Sequence, residues 1–250
     1  MLYLVGLGLH DDGDLSLKGL DALKCSDRVY LEGYTSKFGG DLSRLEGLSG
    51  KKIVILDRKS VEEDAAFIDE AVDSTISLLV LGDPLSATTH SDILLQCHRK
   101  GVEVRVIHSS SIFSGIGEVG LQLYKYGRTT TLAYPEGDYF PTSPYDVIRD
   151  NLSQGMHTLV LLDVKADEDR YMSVAEACGL LLRMGKEKGE AIIGEDTRIV
   201  GASRLGGDRV IAYGKLSQVM EKEFGGPPHI VIIPGKLHFA EEDVLKLYPV

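Results

Sequence analysis

The stretch Leu78-Leu-Val-Leu-Gly-Asp-Pro-Leu-Ser-Ala-Thr-Thr-His-Ser-Asp92 decides the fold, because a short apolar run in it meets a glycine and a proline. Four apolar residues are too few for a helix and predict a buried strand. Gly82-Asp-Pro84 ends that strand, since proline cannot continue a sheet ladder. The hydroxyls of Ser86, Thr88 and Thr89 are predicted to cap a following helix.

Asp83 has two interpretations at this position. Ligands of parallel α/β sheets bind where strands end and helices begin, so its carboxylate could meet a ligand amine or hydroxyl at the rim of a cleft. Aspartate also caps turns in a purely structural role. This stretch alone favours neither interpretation over the other.

The composition of the 250 residues is that of a globular protein, with 43% hydrophobic and 26% charged residues. The formal net charge of -11 argues against nucleic acid as a partner, because backbone binding needs clustered Lys and Arg. Cys25, Cys97 and Cys178 are widely spaced, which predicts neither disulfides nor a C-x-x-C metal site. No apolar run approaches the roughly 20 residues that cross a bilayer. We expect a cytoplasmic protein with no membrane partner.

Apolar runs and helical stripes alternate through the first half, which predicts a mainly parallel, doubly wound sheet. Residues 2–5 form the first predicted strand, which ends in Gly6-Leu-Gly8. Asp11 stands where a dinucleotide fingerprint needs its third glycine, so a nicotinamide cofactor is disfavoured. Ser60-Val-Glu-Glu63 has capping-box spacing and predicts the start of a helix. Residues 109–113 close this half, and we favour their lining the cleft edge over their being a plain linker.

The second half predicts a mixed sheet in a second α/β domain. Residues 116–126 carry a helical stripe and residues 128–134 read as a new strand. We therefore expect an N-terminal domain over 1–112 and a C-terminal domain over 113–250. A strand pair around Gly206-Gly207 favours antiparallel pairing.

The histidines show no metal-ligand spacing such as H-E-x-x-H, and no G-x-S-x-G elbow is present. His90, His108, His229 and His238 are each interpreted as hydrogen-bonded structural residues, although His229 could offer a ligand its backbone or its ring. Asp163-Val-Lys165 follows a predicted strand, and a surface ion pair is the commoner explanation for such a pair than catalysis.

Five stretches together resemble the diphthine synthase family of the tetrapyrrole methylase superfamily, and most of all its archaeal members. They are Leu4-Val-Gly-Leu-Gly-Leu9, Gly82-Asp-Pro-Leu-Ser-Ala-Thr-Thr-His90, Tyr134-Pro-Glu-Gly137, Phe140-Pro-Thr-Ser143 and Pro227-Pro-His-Ile-Val-Ile-Ile-Pro-Gly-Lys-Leu-His238. The resemblance covers nearly the whole chain.

The resemblance implies two α/β domains that hold S-adenosyl-L-methionine in a cleft between them, with S-adenosyl-L-homocysteine as product and no metal. It implies repeated methylation of the amino group of an aminocarboxypropyl-modified histidine on elongation factor 2, by a homodimer. The positions that match the family's cofactor contacts are Leu9, Asp83, Ser86, Ser111, Ile112, Leu162, Leu205 and His229. The family often has Val or Ile in place of Ser86 and Ala in place of Leu205; if the backbone makes these two contacts, neither change matters much.

Acidic turns suit this cofactor because it carries no phosphate. Asp163, Lys165, Glu136 and Tyr139 are candidates for handling substrate or protons, and an aromatic wall that includes Tyr139 would favour a methylated cation. Two alternatives stay open. One is carbon methylation of a tetrapyrrole such as a corrin precursor, and the other is a catalytically silent ligand-binding protein of the same fold.

Overall fold

The computed structural model describes residues 1–250, apart from the side chain of Asp167. The chain divides into two compact units. The first comprises Met1–Gly115 and Lys165–Asp169, and the second comprises Ile116–Val164 and Arg170–Val250. The expected domain boundary between residues 112 and 113 stays a prediction.

Twelve strands and nine α-helices are assigned in the described chain. The strands are β1 (Leu2–Gly6), β2 (Arg28–Glu32), β3 (Ile53–Leu56), β4 (Ile76–Val80), β5 (Val104–Ile107), β6 (Thr130–Leu132), β7 (Thr158–Leu162), β8 (Val164–Lys165), β9 (Arg170–Tyr171), β10 (Arg198–Ser203), β11 (Val210–Lys215) and β12 (His229–Ile233). The helices are α1 (Leu17–Cys25), α2 (Leu42–Ser49), α3 (Ala66–Asp73), α4 (Ser91–Lys100), α5 (Ile112–Gly115), α6 (Ser143–Ser153), α7 (Val174–Lys188), α8 (Leu216–Glu221) and α9 (Phe239–Leu245). None of these helices has both the length and the apolar character needed to cross a bilayer.

The first unit is built on a five-stranded sheet in the order β3-β2-β4-β1-β5, in which all neighbouring strands run parallel. Its central strand β4 is buried at all five residues. Neighbouring side chains point to opposite faces, so Leu4 and Leu78 enter one apolar cluster while Val5 and Leu79 enter another. The predicted parallel, doubly wound sheet is confirmed.

The second unit is built on a mixed sheet in the order β11-β10-β12-β7-β6. Only β6 and β7 run parallel, whereas the three other pairs are antiparallel. β10 and β11 are joined around the predicted turn at Gly206-Gly207. Helix α7 packs Cys178 and Leu181 into the same core as Val160 and Val231. The predicted mixed sheet is therefore confirmed.

Three local predictions were wrong. Ser60–Asp64 forms one wide π-helical turn, and α3 begins after Ala65, which has a φ of 45°. Helix α4 has His90 at its N-cap and no side-chain cap, because the Thr88 hydroxyl accepts from the His90 N–H instead. The stripe over 116–126 forms two short 3₁₀ turns, Ile116–Val119 and Leu123–Lys125, rather than a helix.

A buried carboxylate fixes helix α9 in the second unit. Glu241 is 1% exposed and accepts from the Gln122 N–H at 2.9 Å, from the His157 ring at 3.1 Å and from the ammonium of Lys125. Its own helix cap adds the His238 N–H at 2.7 Å. Burial raises the pKa of Glu241, but these donors, with Lys125 foremost, outweigh it and lower the pKa to about 2.

We expect Glu241→Gln to lose stability on the order of 3 kcal/mol at pH 7, because a pKa depressed from 4.5 to about 2 favours the folded state once the group is ionised. That contribution is full above the unfolded pKa and is lost as pH falls toward the folded pKa. Urea denaturation of both proteins should therefore show a deficit at pH 7 that shrinks by more than half at pH 3. The control is Glu242→Gln. Because Glu242 is exposed, we expect this variant to show no pH-dependent deficit in stability. A deficit that stays constant with pH would contradict the ionised network.

Candidate functional site

The carboxyl ends of three neighbouring strands form one edge of the first unit. After β1 and β4, Gly8 and Gly82 exchange two backbone hydrogen bonds, with N–O distances of 3.1 and 2.8 Å. Gly82 has a φ of 75°, which favours glycine. A Cβ on Gly6 would lie 2.7 Å from the Gly82 oxygen. The loops therefore approach more closely than side chains would permit.

Asp83 joins the loop after β4 to the loop after β5. Its carboxylate is 6% exposed, and Oδ1 accepts from the Leu85 N–H at 3.0 Å and the Ser86 hydroxyl at 3.2 Å. Oδ2 accepts from the His108 ring at 2.8 Å and the Ser109 N–H at 3.2 Å. Asp83 thus caps its own turn, as one interpretation expected, and it also joins the loop after β4 to the loop after β5.

The carboxyl group of Asp83 is ionised at neutral pH. Burial raises its pKa, but hydrogen bonds from the Leu85 N–H and the His108 ring bring the net pKa below its ordinary value. The side chain of His108 is 68% exposed. The sequence alone predicts only a structural role for this histidine. Its position directly after β5 was the available signal that it borders this edge.

The other predicted cofactor residues of the first unit lie in the loops after β1 and β5. The Leu9 side chain covers Gly115, where a Cβ would lie 2.7 Å from Leu9 Cδ1. The buried Ser111 lies beside Gly82, and its carbonyl accepts from the Gly115 N–H at 2.8 Å. Ile112 is the first residue of α5. The fold therefore places Leu9, Ser111 and Ile112 at the same strand-end edge as Asp83.

A buried glutamate, Glu32, and a buried histidine, His90, face each other beside this edge. Glu32, at the end of β2, is fully buried and accepts from the Thr35 N–H at 2.8 Å. Its Oε2 lies 3.5 Å from Nε2 of His90, whose Nδ1 donates to the Pro84 carbonyl at 3.0 Å. Burial raises the pKa of Glu32, and the donation from Thr35 and the nearby His90 offset this only in part. His90 thus closes its own loop onto Pro84, while its Nε2 and the facing Glu32 Oε2 have no hydrogen-bond partner among the described residues.

Replacing Glu32 tests whether this position needs a negative charge or only an acceptor for the Thr35 N–H. Glu32→Ala leaves the Thr35 N–H unpartnered and removes the carboxylate that faces the His90 ring, so we expect a loss of about 3 kcal/mol in urea denaturation at pH 7. Glu32→Gln keeps an acceptor for Thr35 and a donor for His90, so we expect a loss of less than about 1 kcal/mol. Equal losses in the two variants would show that the negative charge itself is required.

The second unit has a corresponding edge where three predicted residues come together. Leu162 ends β7 and His229 begins the antiparallel strand β12 beside it. Ser203, the last residue of β10, pairs with His229, and Leu205 follows two residues later. Leu162 is 8% exposed and Leu205 is 5% exposed. The edge thus combines two apolar side chains with one imidazole.

The ring of His229 has a defined hydrogen-bonding pattern. Its Nε2 lies 3.1 Å from the Gly225 carbonyl and 3.0 Å from the Gly226 carbonyl, so this nitrogen carries the proton. Burial lowers the pKa of His229, which keeps the ring neutral at pH 7. Its Nδ1 is buried and has no hydrogen-bond partner among the described residues. His229 therefore offers an unused acceptor.

Two of the candidate substrate residues follow strand β7. Asp163 Oδ2 accepts from the Tyr134 N–H at 2.9 Å, and the Asp163 carbonyl accepts from the Met172 N–H at 3.0 Å. Lys165 belongs to the first unit, where its Nζ lies 4.0 Å from Oε1 of Glu168. Asp163 thus secures the loop that follows β6.

The candidates in the Pro-rich loop form a tight turn. Glu136 and Tyr139 exchange backbone hydrogen bonds with N–O distances of 3.1 and 2.9 Å. Tyr139 is 67% exposed, whereas the guanidinium of Arg183 covers the ring of Phe140 at 4.0 Å from its centroid. Of these two rings, Tyr139 is therefore the one more open to solvent. Within the described side chains, no group of three or more His, Cys, Asp and Glu residues is placed to hold a metal ion.

The chain is similar to methylases over most of its length. Residues 1–219 match the family model of the Tetrapyrrole (Corrin/Porphyrin) Methylases. A diphthine synthase of Methanococcus maripaludis is 47% identical over 249 residues, which cover 98% of both chains. A diphthine synthase of Methanocaldococcus jannaschii is 46% identical over 251 residues, again covering 98% of each chain.

Solved structures show the same similarity. A crystal structure of a diphthine synthase has a TM-score of 0.89 and 36% identity, covering 99% of this chain and 95% of that one. The crystal structure of an Entamoeba histolytica protein has a TM-score of 0.93 and 39% identity, covering 100% of this chain and 98% of the other.

Proposed function

This chain belongs to the tetrapyrrole methylase family, and from that premise we propose that it is the methyltransferase that converts a modified histidine of elongation factor 2 into diphthine. The acceptor is the amino group of the aminocarboxypropyl side chain on that histidine. One observation carries the proposal, namely 46–47% identity to diphthine synthases over 98% of the chain. Nothing comparable favours a corrin precursor as the acceptor.

S-adenosyl-L-methionine fits the residues proposed to hold it. It is phosphate-free and cationic, and the eight matched positions include the ionised carboxylate of Asp83 but no Lys or Arg. The unpartnered Nδ1 of His229 offers an acceptor for an amino or hydroxyl group. When bound, this cofactor supplies an electrophilic methyl group on its sulfonium and leaves as S-adenosyl-L-homocysteine.

Each proposed residue has a role that follows from its surroundings. Leu9, Leu162 and Leu205 supply apolar surface that excludes water, and the glycine turns at Gly8 and Gly82 let a ligand approach the backbone closely. Ser86, Ser111 and Ile112 complete the set of cofactor contacts through their loops.

Methyl transfer needs an unprotonated amine aligned with the methyl donor, so positioning supplies most of the rate. The amine loses its proton to water, and a strong general base is not required. Asp163, Lys165, Glu136 and Tyr139 are proposed to orient the substrate or to receive protons. Action as a homodimer in the cytoplasm follows as an expectation from the family resemblance.

Asp83→Ala should weaken binding of S-adenosyl-L-methionine by at least about tenfold, because four hydrogen bonds that shape the strand-end loops are lost with the charge. Isothermal titration calorimetry on the two proteins measures this directly. Asp73→Ala is the matched control, since Asp73 is exposed at the end of α3. Unchanged affinity in Asp83→Ala would remove Asp83 from the cofactor site.

Mass spectrometry of elongation factor 2 tests the reaction itself. The factor carrying aminocarboxypropyl-histidine, incubated with the enzyme and S-adenosyl-L-methionine, should gain successive methyl masses at that residue. The control is the same factor with an unmodified histidine, which should keep its mass. An unaltered mass in both samples would favour a silent ligand-binding protein, and methylation of a corrin precursor instead would favour the tetrapyrrole alternative.

A further inference from the structure

An arginine is held at the same edge of the second unit as the proposed cofactor residues. The guanidinium carbon of Arg170 lies 3.6 Å from the centroid of the Tyr134 ring. Tyr134 is 4% exposed and follows β6, and its N–H is bound by Asp163 directly after Leu162. The ring is therefore a fixed platform, and it restricts where the positive charge of Arg170 can lie.

Arg170 is exposed and has no ion pair among the side chains that the structure describes, since none of their carboxylates lies within ion-pair distance of its guanidinium. Arg183, the arginine stacked on Phe140, differs because its Nε lies 2.9 Å from Oε1 of Glu187. In a chain of net charge -11, a stacked guanidinium that has no ion pair among the described side chains is available to an anion.

We infer that Arg170 binds the carboxylate of the aminocarboxypropyl group, an inference that rests on the proposed function. That carboxylate and the reacting amine are attached to the same carbon atom of the substrate. A guanidinium can bind a carboxylate through two parallel hydrogen bonds, which fixes direction as well as distance. Holding the carboxylate therefore limits the positions that the neighbouring amine can take.

The stacked geometry suits this role better than a freely rotating arginine would. The guanidinium carbon lies 3.6 Å from the centroid of the Tyr134 ring, and the five N–H donors of an arginine form a planar fork. The side-chain entropy that a carboxylate ligand must overcome is already reduced by this contact. Arg170 is thus a substrate-positioning residue that selects an α-amino acid group over a simple amine.

The test measures methyl transfer to modified elongation factor 2 by wild type, Arg170→Met and Arg170→Lys. Met keeps apolar contact with Tyr134 but cannot bind a carboxylate, so we expect kcat/KM for the factor to fall roughly 100-fold. Lys restores the charge without the two-pronged geometry and should recover part of the loss. Calorimetry should show the same affinity for S-adenosyl-L-methionine in all three proteins.

The control variant is Arg198→Met. Arg198 also lies over a tyrosine, 5.6 Å from the Tyr213 centroid, but it begins β10 at the opposite end from Ser203. We expect its kcat/KM to stay within about twofold of wild type. A second substrate, the factor carrying an aminopropyl group without the carboxylate, should be methylated at equal rates by wild type and Arg170→Met.

The inference is overturned if Arg170→Met methylates the modified factor as well as wild type, or if it discriminates against the aminopropyl substrate as wild type does. Loss of cofactor affinity in Arg170→Met would also overturn it, since that would be general damage to the edge. Failure of wild type to methylate the factor is a different result, because it would remove the proposed function itself.

Discussion

The close approach of two glycine turns is the constraint on which the first unit depends. Gly8 and Gly82 bond to each other directly, so the loops after β1 and β4 share one backbone surface. The Asp83 carboxylate then ties that surface to the loop after β5 through His108 and Ser109. Because nearly all of its hydrogen-bonding capacity is used within the protein, the role proposed for it toward the cofactor is foremost that of a fixed negative charge.

The second unit forms its edge differently from the first. Its edge is built from strands of opposite direction, so a strand start and two strand ends supply the side chains. His229 is locked as a neutral donor toward the carbonyls of Gly225 and Gly226, which leaves its other nitrogen unused. Arg170, stacked on Tyr134, adds a positive charge. The edge of the second unit therefore includes a guanidinium and an imidazole, whereas the edge of the first unit includes the carboxylate of Asp83.

Sequence patterns predicted the sheets well because strands buried on both faces read as continuous apolar runs, as in β4 and β7. Helix caps were predicted less well. The spacing of Ser60 and Glu63 fits a capping box, but the wide π-helical turn at these residues does not form one. Helix α9 is only seven residues long and no sequence pattern predicted it; the buried Glu241 holds it in place. The contacts of His108 with Asp83 and of Arg170 with Tyr134 join residues that are far apart in the chain, which no local pattern encodes.

The Glu241 network also has a consequence for the order in which the two sheets can acquire their contacts during synthesis. Glu241 accepts from Gln122 and Lys125, which are made more than a hundred residues earlier in the chain. Until Glu241 has been made, the ammonium of Lys125 has no counter-charge from α9 and the ring of His157 lacks its carboxylate acceptor. The five strands of the first sheet all precede residue 108, so that sheet can form early in synthesis, whereas the second acquires this buried ionic contact only once α9 has been made.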